Sequence, residues 1–487
     1  MQSHNEHLMF RTYSQCYKFL NPAKEDIMTK PNTDKTFFQA RLQKSVSGML
    51  FPSGNGDWFI DKGYADGFKD DANKSARDNI VAKEDYAFNA FVEAQQHETG
   101  RYYNDLADLD LTRDRVNSTL SSDNDCVLEV MTAVASQEIT ADKPGNGKHI
   151  VYFPGADTYT QACFRDIAAA AKETGAQIHA FNFPGTGAST GKVLDSHDLI
   201  NAGIAVVRDL VENQGVHIDD ILLQGDCYGS AIAWQVKEEF KKQSNLDVRV
   251  VMNNSFSSFE AAVTIMLKSI SWLPNFASDF LISFVGGLLK WIGMDVRPEN
   301  GYDGITPYQC HIQHDGDQTL RNATLSAAVR IKQEDPNFED PCPEEFRKTR
   351  NELAANHKVQ VKPSAKERLG NKFGRDEFGV VNSHFADLCE LEMHDGKTSA
   401  YEGIVNQFIS TSNDYIANHG QDMTNYVAPK FLSEAHIVRD LSAEEKQEFA
   451  HLGENIDYVI DSGLCSKSPY SKNDDSDHSN NFSPVAA

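Results

Sequence analysis

Between residues 126 and 317 short apolar runs alternate with longer amphipathic segments, and this alternation constrains the fold more than any other feature. The runs have the length of β-strands, and the segments between them carry apolar residues at helical spacing and often end in glycine. Repeated strand–helix units pack as a parallel sheet with right-handed crossovers. The sequence therefore predicts an α/β fold with a mostly parallel, doubly wound sheet. The predicted strands are 127–135, 149–155, 178–185, 218–225, 247–255 and 306–317.

One predicted strand-to-helix turn reads Gly225-Asp226-Cys227-Tyr228-Gly229. Small residues two positions before and after the centre let the backbone pass close to itself in a sharp turn. The turn would hold Cys227 in a strained conformation at a helix amino terminus, which favours a thiolate. The pattern predicts a nucleophile elbow with Gly225 and Gly229 as its small residues. The alternative is a buried core cysteine beside an ordinary glycine turn.

Two more segments accompany the elbow in a characteristic order. VYFPGAD at 151–157 and FNFPGTGAST at 181–190 resemble the oxyanion loop and the glycine-rich loop of α/β-hydrolases. With the elbow, they make residues 125–400 similar to that superfamily, with cysteine where most members have serine. Dienelactone hydrolases and polyhydroxyalkanoate synthases also have a cysteine at this position. The resemblance implies an α/β-hydrolase fold with a helical cap insertion and an N-terminal extension.

The resemblance also implies an oxyanion hole and an acid. The oxyanion hole uses two backbone N–H groups, which would be those of Ala156 and Tyr228. The acid follows a later strand, where Asp317 in CHIQHDGDQTL matches best and Asp315 is the alternative.

The base is expected in a loop after the final strand. His384 in VVNSHFADL matches this place, although Ser383 stands where the family pattern has glycine, and His394 is the alternative. The order Cys227, Asp317, His384 agrees with the nucleophile, acid, base order of this fold.

These residues together predict a Cys-His-Asp triad that works through a thioester intermediate. The expected function is a cysteine-dependent hydrolase or acyltransferase acting on an ester, a thioester or a lipid acyl group. One alternative is a cysteine peptidase or an enzyme that removes protein modifications. The other is a non-catalytic scaffold that uses the fold for binding.

The segment at about 257–300 lies where many relatives carry a cap over the active site. Its apolar residues recur at helical spacing, as in a lid with one apolar face, although plain core helices would show the same pattern. A cap of this kind would favour a lipid-like or acyl substrate. It would also provide the peripheral contact with a membrane, if the protein makes one.

The rest of the chain divides by composition. Residues 1–120 are expected to form an N-terminal extension packed on the core, and 121–425 the hydrolase domain. Within that domain, 333–375 is highly charged and is predicted to be a solvent-facing insertion. A helical segment is expected at 426–465. The tail 466–487 lacks the apolar residues needed to offset chain entropy and is predicted to be disordered.

Charge and cysteine content exclude several classes of function. The 46 Lys and Arg against 71 Asp and Glu leave a net charge of -25, which repels nucleic acid. The 8 cysteines form no CxxC pair, which argues against a zinc ribbon or a disulfide scaffold and indicates a reducing, intracellular compartment. The histidines lack paired-ligand spacing, so neither a metal nor another cofactor is expected.

The chain also shows no signal for export through Sec. Met1–Leu20 lacks the regions of a signal peptide, and the apolar stretch at 280–294 is shorter than the roughly 20 residues of a transmembrane helix. The segments LLQGDCYGSAIA and FPGTGAST resemble the SidB-like group of type IV secreted bacterial effectors. This resemblance implies translocation into a host cell and contact with the secretion machinery or a host protein.

Overall fold

The computed structural model describes most of the hydrolase domain and part of the N-terminal extension. Four of the predictions lie outside the described residues, namely Asp315, His394, the segment 426–465 and the tail 466–487. The described residues are 57–96, 106, 108–119, 125–156, 158–268, 284–302, 306–314, 317, 319–320, 323–325, 328, 356–373, 381–393 and 395–420.

The described strands form one nine-stranded sheet with the order β1-β2-β4-β3-β5-β6-β7-β8-β9. The centre of the sheet, from β4 to β8, is parallel, whereas β1, β2 and β9 pair antiparallel at the two edges. The strands are β1 (Leu109–Thr119), β2 (Asp125–Ala135), β3 (His149–Phe153), β4 (Gln177–Phe181), β5 (Ile221–Asp226), β6 (Arg249–Asn253), β7 (Gln309–His314), β8 (Asn356–Val361) and β9 (Leu391–Met393).

Helices cover both faces of this sheet, and none of the described helices is long and apolar enough to cross a bilayer. They are α1 (Trp58–Asp61), α2 (Ala76–Gln96), α3 (Gln137–Thr140), α4 (Phe164–Thr174), α5 (Ser196–Arg208), α6 (Tyr228–Ser244), α7 (Phe259–Lys268), α8 (284–291), α9 (Pro363–Phe373) and α10 (Gln407–His419). Short 3-10 segments occupy Thr160–Cys163, Ile218–Asp220, Ser383–Phe385 and Leu388–Glu390, and π-helical turns occupy Asp209–Asn213 and Tyr401–Asn406.

Alternate residues of the central strands enter two separate hydrophobic clusters. In β3, Phe153 packs on one face in the cluster that contains Trp234 of α6, and Tyr152 packs on the other face in the cluster that contains Phe164 of α4. A parallel strand covered on both faces must be apolar at successive positions, which explains its unbroken apolar run. A parallel sheet sandwiched between helices, with a sharp turn between β5 and α6, is the α/β-hydrolase fold. The predicted fold class is confirmed.

Two predicted boundaries differ from the bounds of the elements in the structure. Strand β1 pairs with β2 along its whole length, so the sheet begins before residue 121. The charged insertion predicted at 333–375 does not extend through 356–373, because β8 pairs with β7 and α9 follows it. The alternation in KVQV is short and lies among charged residues, which concealed the strand. The predicted cap region holds α7 and α8, and the residues between these helices lie outside the described ranges.

The described part of the N-terminal extension, residues 57–96, packs against the core through aromatic rings. The ring of Phe91 stacks on Phe164 of α4 with centroids 5.4 Å apart, and Trp58 meets the same ring edge-on at 6.0 Å. A buried ion cluster reinforces this contact.

In the ion cluster, Arg113 of β1 binds Asp57 at 2.5 Å and Glu129 of β2 at 2.8 Å, with 3% of the Arg113 side chain exposed. The guanidinium therefore ties the start of the described chain to the sheet edge. Because all three side chains are buried, loss of the cation would leave two carboxylates uncompensated.

We expect Arg113→Ala to lower the free energy of unfolding by about 3–5 kcal/mol, because it breaks a buried ion cluster. The neighbouring Arg115 is 31% exposed and pairs with Glu84 and Asp85 at the surface, which makes Arg115→Ala the matched control. Its loss should cost less than about 1 kcal/mol. Urea unfolding followed by tryptophan fluorescence measures both, and equal losses would contradict the role of the buried cluster.

Candidate active site

The turn between β5 and α6 places Cys227 in a conformation that non-glycine residues rarely adopt. Its φ is 49° and its ψ is -111°. Such a conformation persists only where the surrounding structure holds it. Here the Cys227 N–H donates a 2.8 Å hydrogen bond to the Asn253 carbonyl at the end of β6. The neighbouring strand therefore fixes the strained turn.

The two elbow glycines lie where no side chain fits. A Cβ on Gly225 would lie 2.6 Å from the carbonyl carbon of Gly229, and one on Gly229 would lie 2.2 Å from the Phe153 carbonyl oxygen. These contacts are with backbone atoms, and moving the backbone to make room for a side chain would destabilise the fold. The close passage brings the loop after β3 against the elbow, where a Cβ on Gly155 would lie 3.9 Å from the Cys227 Cβ.

The loop after β3 continues from Gly155 into Ala156, and Tyr228 begins α6 on the other side of Cys227. The two residues predicted to form the oxyanion hole therefore belong to the two segments that meet at Cys227. The Tyr228 N–H belongs to the first turn of a 17-residue helix. Backbone N–H groups in a first turn have no acceptor within the helix and point out of its amino terminus, where the helix dipole favours negative charge.

Asp317 lies just after β7 with 3% of its surface exposed. Its carboxylate accepts hydrogen bonds from the backbone N–H groups of Thr319 and Leu320, both at 2.9 Å, and from Gln313 Nε2 at 3.2 Å. Burial by itself would raise its pKa, but His384, the Leu320 N–H and the nearby His314 outweigh burial and hold the pKa of Asp317 below its ordinary value. The buried carboxylate is therefore ionised at neutral pH.

His384 lies in the 3-10 turn Ser383–Phe385, and its Nδ1 is 3.0 Å from Asp317 Oδ2. Cys227 lies close enough to the imidazole to influence its pKa. Burial by itself would lower the pKa of His384, but interactions with Asp317 and Cys227 raise it well above its ordinary value. The structure thus brings the three predicted triad residues together, with His384 hydrogen-bonded to Asp317.

Several polar residues behind the triad were missed by sequence reasoning. They are Asn253 and Asn254 at the end of β6 and His314 at the end of β7, all almost fully buried. A signal was present, since NNS and HDGD follow consecutive predicted strands and ligand sites in parallel sheets gather at strand carboxyl ends. Among the described residues, no His, Cys, Asp and Glu group is arranged to hold a metal ion.

Comparison with known proteins gives one partial family match. A family model for the C-terminal domain of SdbC matches residues 379–443, a minor part of the chain that includes His384. No curated protein sequence matches the chain.

Several solved structures are similar to parts of this chain at low identity. An esterase from Pyrococcus furiosus is 18% identical, with 53% of this chain and 82% of that chain covered and a TM-score of 0.34. An α/β-hydrolase from Vibrio vulnificus is 16% identical, with 50% and 78% covered and a TM-score of 0.32. An esterase from Pyrobaculum calidifontis is 14% identical, with 42% and 67% covered and a TM-score of 0.29. The fold assignment rests on the strand order and the elbow of this chain.

We expect Gly229→Ala to destabilise the fold by about 1–3 kcal/mol, because the new methyl would force apart the elbow and the end of β3. Alkylation of Cys227 by iodoacetamide, followed by peptide mass spectrometry, should slow as the elbow loses its geometry. Gly287→Ala is the control, since a Cβ at this helical position meets nothing within 4 Å. If both variants behaved like the wild type, the close contact at Gly229 would not determine the elbow.

Proposed function

We propose that this protein is a cysteine-dependent hydrolase or acyltransferase that acts on an ester, a thioester or a lipid acyl group. One observation carries the proposal: a cysteine held at positive φ in a nucleophile elbow lies beside a histidine, whose Nδ1 pairs with a buried carboxylate. This is the arrangement of a nucleophile, a base and an orienting acid.

The first half-reaction forms a thioester. His384 takes the Cys227 thiol proton, and the thiolate attacks the acyl carbon while the N–H groups of Ala156 and Tyr228 stabilise the oxyanion. When the carbon–oxygen double bond reforms, the leaving alkoxide or thiolate departs with the proton from His384. Asp317 keeps its charge throughout and holds the imidazole in the orientation that directs Nε2 at the sulfur.

The second half-reaction releases the acyl group. His384 removes a proton from a water molecule, the hydroxide attacks the thioester carbon, and the Cys227 sulfur leaves and recovers the proton. An alcohol or a thiol in place of water would give acyl transfer instead of hydrolysis. A thiolate is a better leaving group than an amine, so a tetrahedral adduct of an amide tends to revert. Esters and thioesters are therefore the favoured substrates.

The cap region favours a substrate with an acyl chain. In α7, Phe259 and Ala262 pack into the same cluster as Tyr228 and Phe256, so the cap begins directly beside the elbow. These buried side chains make the surroundings of the proposed nucleophile apolar, which suits a substrate with an acyl chain. Contact with a membrane, with host proteins or with a secretion system stays a prediction from the sequence.

Removal of the nucleophile tests the activity directly. Wild-type protein should hydrolyse p-nitrophenyl esters and gain the mass of one acyl group, whereas Cys227→Ala should do neither, because no thioester can form. Cys389 is another free, partly exposed cysteine, and Cys389→Ala is the control that should keep turnover and adduct. Turnover of p-nitrophenyl esters with short and with long acyl chains would indicate how long an acyl chain the active site accepts. Turnover by Cys227→Ala would overturn the proposed nucleophile.

The acid is tested by Asp317→Asn. Because Asp317 raises the pKa of His384, the substitution should lower that pKa, which NMR titration of the imidazole measures. The raised pKa means that the His384–Asp317 pair stabilises the fold below the unfolded-state pKa of His and loses this contribution as pH rises through the folded-state pKa. The variant should lack that pH dependence.

The same substitution should lower kcat by up to about ten-thousand-fold, since the imidazole loses its tautomer and orientation. Asp395→Asn, at an exposed carboxylate beyond the His384 loop, is the matched control. If the His384 titration were the same in wild type and Asp317→Asn, Asp317 would not be its partner.

A further inference from the structure

A second hydrogen-bonded chain runs behind the triad and connects the nucleophile elbow with the His384 loop. Asn253 Nδ2 lies 2.7 Å from Asp226 Oδ1, and Asn253 Oδ1 lies 2.6 Å from His314 Nε2. His314 Nδ1 lies 2.8 Å from the Ser383 carbonyl oxygen. One end of the chain is therefore adjacent in sequence to Cys227, and the other end is adjacent to His384.

The donors and acceptors in this series of hydrogen bonds determine which His314 nitrogen must carry a hydrogen. The Ser383 carbonyl can only accept, so a favourable contact requires a hydrogen on His314 Nδ1. Asn254 Nδ2 lies 3.0 Å from the same Nδ1, but as a donor it cannot take that hydrogen. Without the hydrogen, the lone pair of Nδ1 would face the Ser383 oxygen at 2.8 Å.

The orientation of the Asn253 amide then determines whether the second hydrogen lies on His314 Nε2 or on the Asp226 carboxyl group. With its oxygen towards His314, the imidazole must be protonated on both nitrogens and Asp226 must be a carboxylate. With the amide turned over, its N–H donates to a neutral His314, and its oxygen accepts from a protonated Asp226. The two arrangements hold the same number of protons and need no movement of the neighbours.

Burial favours the neutral arrangement. His314 has no exposed surface, and burial lowers its pKa to about 4 although Ser383 and Asp317 oppose this shift. Burial is also the largest influence on Asp226 and raises its pKa, against bonds from Tyr152 and Asn253 and the charge of His384. The acids Asp166 and Asp387 interact with Asp226 and would further disfavour a charge there.

We propose that Asp226 is protonated and donates this hydrogen to the Asn253 amide oxygen, that the Asn253 N–H donates to neutral His314, and that His314 and Asn253 are positioning residues for the proposed thiol chemistry. A neutral Asp226 places no negative charge beside the Cys227 thiolate. The bond from His314 to the Ser383 carbonyl holds the loop that presents His384. The inference rests on the proposed function only in taking Cys227 as the reactive thiol.

The neighbouring Asn254 makes this arrangement rigid. Its Oδ1 accepts hydrogen bonds from the backbone N–H of His314 at 3.1 Å and from Gln313 Nε2 at 2.9 Å. Asn254 itself has a φ of 54°, which is a strained value for a residue other than glycine. Loss of the Asp226 proton would leave His314 Nε2 and the Asn253 oxygen facing each other, so the chain resists deprotonation.

The proton is located first, in the wild-type protein, by NMR of 15N-labelled histidine with His314 assigned from the spectrum of His314→Gln. We expect Nδ1 to carry a hydrogen and Nε2 to carry none between about pH 6 and 8. A signal from two protonated nitrogens would place the charge on His314. A hydrogen on Nε2 alone would place a carboxylate at Asp226. Either result would overturn the proposal.

Two variants of similar volume then separate positioning from packing. Glutamine can donate to Ser383 and accept from Asn253 as neutral His314 does, so His314→Gln should keep kcat and the pH midpoint of Cys227 alkylation close to wild type. Leucine can do neither, so Asp226 would ionise more easily. His314→Leu should raise that midpoint by about one pH unit and lower kcat about tenfold with little change in KM.

Equal behaviour of the two variants would assign His314 to packing and overturn the positioning role. The alkylation assay needs no substrate, so the two proposals fail separately. Absence of ester turnover with the midpoint shift intact would reject only the proposed function. Normal turnover in His314→Leu with an unshifted midpoint would reject only the hydrogen-bonded chain behind the triad.

Discussion

The contact between Gly229 and the end of β3 is the constraint on which the active site depends. Because the Phe153 and Pro154 carbonyl oxygens would lie 2.2 and 2.4 Å from a Cβ at residue 229, only glycine lets α6 begin this close to the strand. The same approach sets the loop after β3 beside Cys227. It also forces the turn from β5 to be so sharp that Cys227 adopts a positive φ, and the bond to the Asn253 carbonyl holds it there.

Local patterns made the elbow and its surroundings predictable from the sequence. The spacing of Gly225 and Gly229 has a steric cause, and the order of Asp317 and His384 after the nucleophile follows from the order of the strands. The strands β3, β5 and β6 have unbroken apolar runs because both faces are buried. These features depend on neighbours in sequence or on the general geometry of a parallel sheet.

Other features depend on contacts between distant segments and left no readable pattern. Strand β8 has a short alternation among charged residues, and its place in the sheet is set by pairing with β7. The partnership of Asn253 with His314 links two strand ends 61 residues apart, which no periodicity reveals. In the sequence, Arg113 is a single charged residue in the predicted N-terminal extension. Only the structure shows that Asp57 and Glu129 enclose it.

Two buried carboxylates near the nucleophile meet opposite environments. Asp317 accepts hydrogen bonds from two backbone N–H groups and one amide and faces His384, so its charge is stabilised in spite of burial. Asp226 has fewer donors and lies near two other acids, so burial dominates its pKa. The number of hydrogen-bond donors, rather than the depth of burial, explains why the pKa values of the two carboxyl groups shift in opposite directions.

This difference bears on why a cysteine suits this elbow. The raised pKa of His384 means that the imidazole can take the thiol proton and keep it, and the resulting imidazolium can stabilise a thiolate and later protonate a leaving group. A serine hydroxyl is too weakly acidic to transfer its proton to the imidazole before attack, so it needs neutral histidine as a base. A thiol can lose its proton before the substrate arrives. The buried, strongly paired His384 therefore fits a sulfur nucleophile better than an oxygen nucleophile.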